Sequence, residues 1–332
     1  MVAINVVKES NASLKDYGPG LVGVFVGGTS GIGQSTARAF VRYAISPRVY
    51  LLGRNEAQAS KIIEELGKLN AESKVDFVKC DVSLLKGVDE ACKEIQKKEE
   101  KVNLLVMTTG MVTMKGRDGM YTVIISETNE GIDRKLSLHY YSRMRFISNL
   151  LPQLNAAVAA ASTAEGKKTG LASVVSVLEA GGEGALNQDD LDLKNTYSLA
   201  NARTHAITMN SLSLGYLAKA NPAVSFIHSF PGGVKTGVMR ELGTVTKMAL
   251  QAVMVLGKPW MVPVEESGER HLYAAAGLPK LKRAGDESGK LYLVGSDGEE
   301  RGNHKVLNEY REKNTDQKVW EHTLDVFSRC CE

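Results

Sequence analysis

Apolar runs of strand length alternate along the chain with longer segments of helical period. The runs at 21–26 (LVGVFV), 48–53 (RVYLLG), 74–80 (KVDFVKC), 103–109 (NLLVMTT), 171–177 (LASVVSV), 223–230 (AVSFIHSF) and 289–294 (GKLYLV) predict strands. Between them, 32–44, 56–70, 84–100, about 129–160 and 196–220 space their apolar residues as helices do. This alternation predicts an α/β fold, a doubly wound parallel sheet of about seven strands with helices on both faces, in three αβα layers. One domain is expected over residues 1–332. Its core spans about 20–236 plus 289–296, an insertion and helix occupy 237–285, and 297–332 form a C-terminal extension.

Two regions interrupt the rhythm. Residues 179–195 (EAGGEGALNQDDLDLKN) are a polar, glycine-rich loop between the fifth strand and the helix that follows it. Residues 237–262, with VTKMALQAVMVLGKPWMV, are an apolar insertion after the sixth strand. Loops that follow the carboxyl ends of strands line the ligand crevice of such a sheet. The insertion therefore reads as a core or dimer helix, a substrate lid, or a segment that touches a membrane surface.

Composition narrows the function classes. With 43% hydrophobic and 24% charged residues and a net charge of +3, the chain is ordinary for a globular protein and has no nucleic-acid footprint. KEIQKKEEK (93–101) mixes signs and reads as a solvated helix end. Cys80, Cys92, Cys330 and Cys331 lack metal-ligand spacing and read as reduced thiols. No apolar run reaches eighteen residues, so no transmembrane segment is expected, and the N-terminus has no leader-like apolar stretch. A cytoplasmic protein is the expectation.

VGGTSGIG (26–33) lies at the junction of the first strand and the first helix. Gly27, Gly31 and Gly33 would let backbone approach a pyrophosphate, with Thr29, Ser30 and Ile32 in the same turn. The helix N-terminus behind them offers unpaired N–H groups and positive dipole. The second strand ends at Gly53 and Arg54, where an acidic residue would receive the ribose hydroxyls of NAD(H). A guanidinium there would instead pair a 2′-phosphate, so NADP(H) is the expected cofactor, with Ser30 and Asn55 adding hydrogen bonds. Asp81 after the third strand is placed for an adenine amine, with Val82 beside the ring.

With these motifs in hand, the chain resembles a short-chain dehydrogenase/reductase of Rossmann type over about residues 20–240. VGGTSGIG is similar to the family's TGxxxGIG, CDVS (80–83) to its adenine motif, and PGGVKT (231–236) to its PGxVxT. DLDLKNTYSLANA and NPAVSFIHSFPG look most like fungal members, many of them linked to specialised metabolism. The resemblance implies that Pro231, Gly232, Val234 and Thr236 cradle the nicotinamide end. It also implies that MTTG (107–110) stands where the family has NNAG, with Thr109 and Gly110 kept against the cofactor. Family members work with Asn, Ser, Tyr and Lys. Carried over by motif, Ser176 takes the serine position, Tyr197 the tyrosine, Asn201 the lysine and His139 the asparagine, with Tyr197 and Asn201 also against the cofactor. Counting back from Pro231 without gaps gives a second register, with Asn201 at the tyrosine position and His205 at the lysine. The resemblance further implies a homodimer paired through the helices that carry His139 and Tyr197.

The altered residues change the expected chemistry. A phenol titrates near ~10 and needs a neighbouring cation to work as a base near neutrality. Asn201 cannot supply one. His139 is the candidate substitute, because imidazole titrates near ~6.5. His205 lies about 12 Å along the helix axis from Tyr197 and cannot touch it. Three functions remain open at this point. One is NADP(H)-dependent carbonyl reduction on an apolar small molecule. A second is a non-redox cyclisation, isomerisation or dehydration on the same fold, and the third a non-catalytic dinucleotide-binding protein.

Overall fold

The computed structural model describes residues 1–114, 116–117, 128, 130–162, 170–239, 261–278 and 291–331. Seven strands form an all-parallel sheet: β1 (Val22–Val26), β2 (Arg48–Gly53), β3 (Lys74–Lys79), β4 (Leu104–Met107), β5 (Ser173–Val177), β6 (Ser225–Ser229) and β7 (Leu291–Val294). Their order across the sheet is β3-β2-β1-β4-β5-β6-β7, the Rossmann-type arrangement that the alternation predicts. The chain runs outward from β1 to β3 and then returns to the other side of β1. A crevice therefore opens between β1 and β4 at the carboxyl ends, the usual place for a ligand in such sheets.

Every strand but β3 is buried on both faces, as the unbroken apolar runs require; at the β3 edge of the sheet Lys74, Asp76 and Lys79 are exposed. Val22, Val24 and Val26 of β1 join one core while Phe25 joins the other. Leu105 and Met107 of β4 face the first core; Leu104 and Val106 face the second. The second core is covered by α1 (Ile4–Ala12), α2 (Gly31–Tyr43), α3 (Glu56–Leu69) and α7 (Val264–Ala276). The first is covered by α4 (Leu85–Lys98), α5 (Ser142–Ser162), α6 (Leu199–Ala220), α8 (His304–Glu312) and α9 (Thr315–Cys331).

Three features depart from the sequence pattern or add to it. Helix α1 was not foreseen; it is held from far along the chain, where buried Asn11 donates to the Glu269 carbonyl at 2.9 Å and to its Oε2 at 2.8 Å, 258 residues away. Arg42 also donates to Glu269 at 2.8 Å, so this one carboxylate ties α1 and α2 to α7. The helix expected from about 129 starts later, at a short turn Arg134–Leu136, because Asp133 Oδ1 accepts the Lys135 and Leu136 amides and caps it there. A π-turn, Ser137–Tyr141, then leads into α5; such turns recur at functional sites.

The C-terminal extension is helical and packs on α5 and α6. Tyr140 OH bonds Ser213 at 2.7 Å and Thr323 at 2.5 Å, and Trp320 stacks on Tyr216 with ring centroids 6.1 Å apart. At the other end of the crevice, Gly233–Val234 pairs in parallel with Met261–Val262 and joins the ends of the insertion. Residues 240–260, on which the lid, dimer-helix and membrane readings fall, lie outside the described residues. Among the described residues, no helix is long and apolar enough to cross a membrane.

Candidate active site

A cavity of about 1120 Å³ occupies the crevice at the carboxyl ends of β1, β2, β4, β5 and β6. One end is built by the glycine turn. Gly27 and Gly31 have φ of 85° and 56°, conformations in which a side chain is strained. A Cβ on Gly33 would sit 2.6 Å from the Gly27 carbonyl and 2.5 Å from Thr108 Oγ1, so only glycine lets α2 start this close to β1. Ser30 occupies the N-cap of α2 but makes no side-chain capping bond. The first amides of the helix thus keep their donors at the cavity wall, where Thr29, Ser30, Gly31 and Ile32 lie. Unsatisfied amides at the positive end of a helix, reached past bare glycine, fit the pyrophosphate of a dinucleotide.

Beyond this turn, Arg54 lines the cavity with its side chain 65% exposed and Nη1 3.9 Å from Asp81 Oδ2. Asn55 has a task besides the one expected: its Oδ1 accepts the Gln58 amide at 3.0 Å and caps α3. Asp81 Oδ1 accepts from Ser83 N at 3.1 Å and Oγ at 2.7 Å, which fixes the loop that brings Val82 to the wall. Thr109, Gly110, Pro231, Gly232, Val234 and Thr236 line the wall that faces the glycine turn, with Thr109 against Gly27 and Thr236 against Gly31, and His139 lines the same cavity. A Cβ on Gly110 would meet His139 Nε2 at 3.2 Å, so the imidazole packs directly on that glycine.

His139 is the one member of the expected tetrad that lines the cavity. Its Nε2 accepts the Met111 amide at 3.0 Å, so the ring presents no free basic nitrogen there. Burial, then Arg143 and Lys135, push its pKa down to about 3. It is therefore a neutral hydrogen-bond acceptor that shapes the loop after β4, not a charge that replaces a lysine.

The other three stand elsewhere. Ser176 is fully buried in β5 and does not line the cavity; its Oγ accepts from Arg143 Nη1 at 2.7 Å and donates to Asn210 Oδ1 at 2.9 Å. The Asn210 amide in turn donates to the His139 carbonyl at 2.7 Å. Tyr197 precedes α6 and packs against the first core, with the Lys135 ammonium 5.3 Å from its ring centroid. Asn201 folds back to donate to the Thr196 carbonyl at 2.7 Å, while Ser198 caps the helix on the Asn201 amide at 3.0 Å. His205, the lysine of the second register, is buried beneath the 179–195 loop, where Nε2 accepts the Asn187 amide at 2.9 Å. Neither register places its pair on the cavity. The helix instead turns Leu199, Ala202, Arg203, Ala206 and Ile207 toward it. Tyr197 lies outside the helix, ahead of its extended N-cap Ser198.

What the sequence reading missed is a set of charges. Arg143 lines the cavity from below, almost wholly buried, and donates to the carbonyls of Thr109 at 2.5 Å, Val177 at 2.9 Å and Leu138 at 3.2 Å as well as to Ser176. In YYSRMRFISNLL it reads as one more helix-surface arginine beside Arg145. Lys135 also lines the cavity, donating to the Gly116 carbonyl at 2.9 Å and lying 3.4 Å from Asp133. Arg203 pairs through both Nε and Nη2 with Glu179, two residues beyond the end of β5. Around these, Met111, Val112, Met114, Leu138 and Leu178 form an apolar wall, and Val112 N donates to the Val238 carbonyl at 3.1 Å across the mouth.

The family profile described as "short chain dehydrogenase" matches residues 22–175. "Oxidoreductase AN1596" of Emericella nidulans is 40% identical over 99% of both chains, and "Oxidoreductase andH" of Emericella variicolor is 32% identical over 98% of this chain and 97% of its own. Among solved structures, the "Pseudomonas aeruginosa RhlG/NADP active-site complex" superposes with a TM-score of 0.57 at 18% identity, over 84% of this chain and 96% of the other, a likeness of fold. The strand order, the glycine turn beneath α2 and these relatives together place the chain in the short-chain dehydrogenase/reductase family, as an oxidoreductase of that type.

Proposed function

We propose that the protein is an NADP(H)-dependent reductase of a ketone-type carbonyl on a largely apolar small molecule. The observation that carries this reading is one continuous cavity that joins Arg54, the open amides of α2 and the apolar wall of Met111, Val112 and Met114. Its volume of about 1120 Å³ exceeds the usual range for a single small ligand, roughly 300–1,000 Å³. That leaves room for a dinucleotide with a substrate beside it. The NADP-complexed neighbour is consistent with the cofactor.

Arg54 would hold the 2′-phosphate, the α2 amides the pyrophosphate, and Asp81 the adenine amine, with Val82 against the ring. When bound, the cofactor supplies a hydride. The chain must supply a proton to the substrate oxygen. Lys135 is a proton-carrying side chain on the cavity wall, and its ammonium overlies Tyr197. We assign the proton to Lys135 and give Tyr197 the role of the phenol behind it. Ser176, Asn210 and the His139 carbonyl form the chain of hydrogen bonds that holds Arg143 and the π-turn in place.

The test is titration with NADPH by nicotinamide fluorescence, followed by turnover with a panel of carbonyl compounds in wild type, Lys135→Met and Tyr197→Phe. Binding, NADPH consumption, and at least a hundredfold loss of kcat in Lys135→Met support the reading. Absence of NADPH binding sinks it. A second reading, a non-redox step on the same fold, is favoured by the cavity face of α6, which carries no hydroxyl. It takes over if a substrate is converted while NADPH binds without being consumed.

A further inference from the structure

Arg143 is nearly inaccessible, yet it reaches the cavity where Thr109, Gly110 and Val177 meet. Its guanidinium donates to four neutral acceptors: the carbonyls of Leu138, Val177 and Thr109, and Ser176 Oγ. Among the described residues no carboxylate pairs with it. The other cations here differ: Lys135 has Asp133 at 3.4 Å, and Arg203 is clasped by Glu179. His139, which also lines the cavity, is neutral. Arg143 is thus a fixed positive charge held by dipoles alone. Such a charge is poorly screened, because its surroundings are protein rather than water. Its contacts seat it rigidly, and Thr109, which one of them holds, is expected against the cofactor and lines the same cavity as Val234 and Thr236, the residues expected at the nicotinamide.

We infer that Arg143 makes the site discriminate between redox states of the cofactor, taking up the reduced form, with its uncharged nicotinamide, in preference to the oxidised form, with its cationic ring. The inference rests on the dinucleotide reading above. Two like unit charges roughly 8 Å apart at an effective dielectric of about 20 repel by an amount equal to about thirtyfold in an equilibrium constant. The two cofactor forms share adenosine, pyrophosphate and ribose contacts, so those cancel in the ratio of their affinities. What remains in the ratio is the field at the nicotinamide. A site with this bias loads with reduced cofactor and releases the oxidised product.

The experiment measures Kd for NADPH and for NADP⁺ in wild type, Arg143→Lys and Arg143→Met, by calorimetry at one pH and one salt concentration. Wild type is expected to bind NADPH at least tenfold more tightly than NADP⁺. Arg143→Lys should keep most of that ratio, and Arg143→Met should bring it below about threefold. A purely structural role would weaken both forms together and leave the ratio unmoved, which overturns the inference. Equal wild-type affinities overturn it as well, even if Arg143→Met fails to fold, and leave the dinucleotide reading standing. If wild type binds neither form, the dinucleotide reading falls and the inference falls with it.

Discussion

Replacing Gly33 by alanine adds one methyl group where the structure has no room for it. The new Cβ would lie 2.5 Å from Thr108 Oγ1 and 2.6 Å from the Gly27 carbonyl, whereas ordinary contact begins at 3.4 Å. Thr108 can rotate away, but the carbonyl is backbone of the same turn. Relief therefore requires about 0.8 Å of movement between α2 and β1 (3.4 less 2.6 Å). Overpacking of this kind costs about 1–3 kcal/mol. Unfolding entropy of about 2.1 cal/mol/K per residue gives about 0.7 kcal/mol/K for 332 residues, so Tm should fall by about 1.5–4 °C. The same movement withdraws the α2 amides from the cavity, and NADPH affinity should drop at least tenfold. Gly67→Ala is the matched control. Gly67 sits in the exposed last turn of α3 with nothing within 4 Å of the added Cβ, so helix propensity should raise stability by about 0.5 kcal/mol and leave NADPH binding intact. Differential scanning calorimetry and fluorescence titration read both effects. A Gly33→Ala protein that melts and binds like wild type would refute the close-approach argument.

Three further outcomes follow from the same structure. Arg54→Glu removes a guanidinium and adds a repelling carboxylate, so NADPH affinity should fall about five- to thirtyfold, discounted for the 65% exposure of Arg54, while NADH affinity barely changes; equal losses for both would contradict the 2′-phosphate assignment. Burial holds His139 and His228 at about 3 and His271 at about 4, below the unfolded value near 6.5, so each stays neutral in the fold. The unfolded chain then binds more protons below pH 6.5. The stability these groups contribute is complete above that pH and is lost as pH falls toward 4, by about 1.4 kcal/mol per unit for each; denaturant midpoints that stay flat from pH 7 to 5 would contradict it. Because α9 packs along α6 and α4, the expectation is that it competes with pairing through α6, and light scattering should return a monomer of 35.9 kDa; a stable dimer that survives disruption of every other face would contradict this.

The inner strands were legible because each is buried on both faces, which leaves a short apolar run, whereas β3 at the edge exposes Lys74, Asp76 and Lys79 and shows only as a run in which Val75, Phe77 and polar residues alternate. The glycine turn was legible for a related reason: backbone that must approach backbone can only be glycine. The reactive end was not, since motif spacing fixes positions along a helix but not the rotation of that helix about its axis. Ser198 caps α6 and Asn201 folds onto Thr196, and this sets which face meets the cavity. Arg143 was hidden for a different reason. Its burial depends on carbonyls of the loop after β4 and of β5, far from it in sequence, and nothing in its own helix announces them. Helix α1 escaped notice because its partner lies near the other end of the chain.

That last contact sets an order for synthesis. As the chain leaves the ribosome, Asn11 emerges long before Glu269, and β7 at Leu291–Val294 later still. Through most of translation α1 and the outer face of α2 have no docking partner, and β6 presents an open edge. Exposed apolar surface and unpaired strand edges in a nascent chain are what chaperones bind. The nascent protein should therefore depend on such help until its last quarter has been made, and a ribosome stalled before residue 269 should hold a chain whose first helix is still open to proteases.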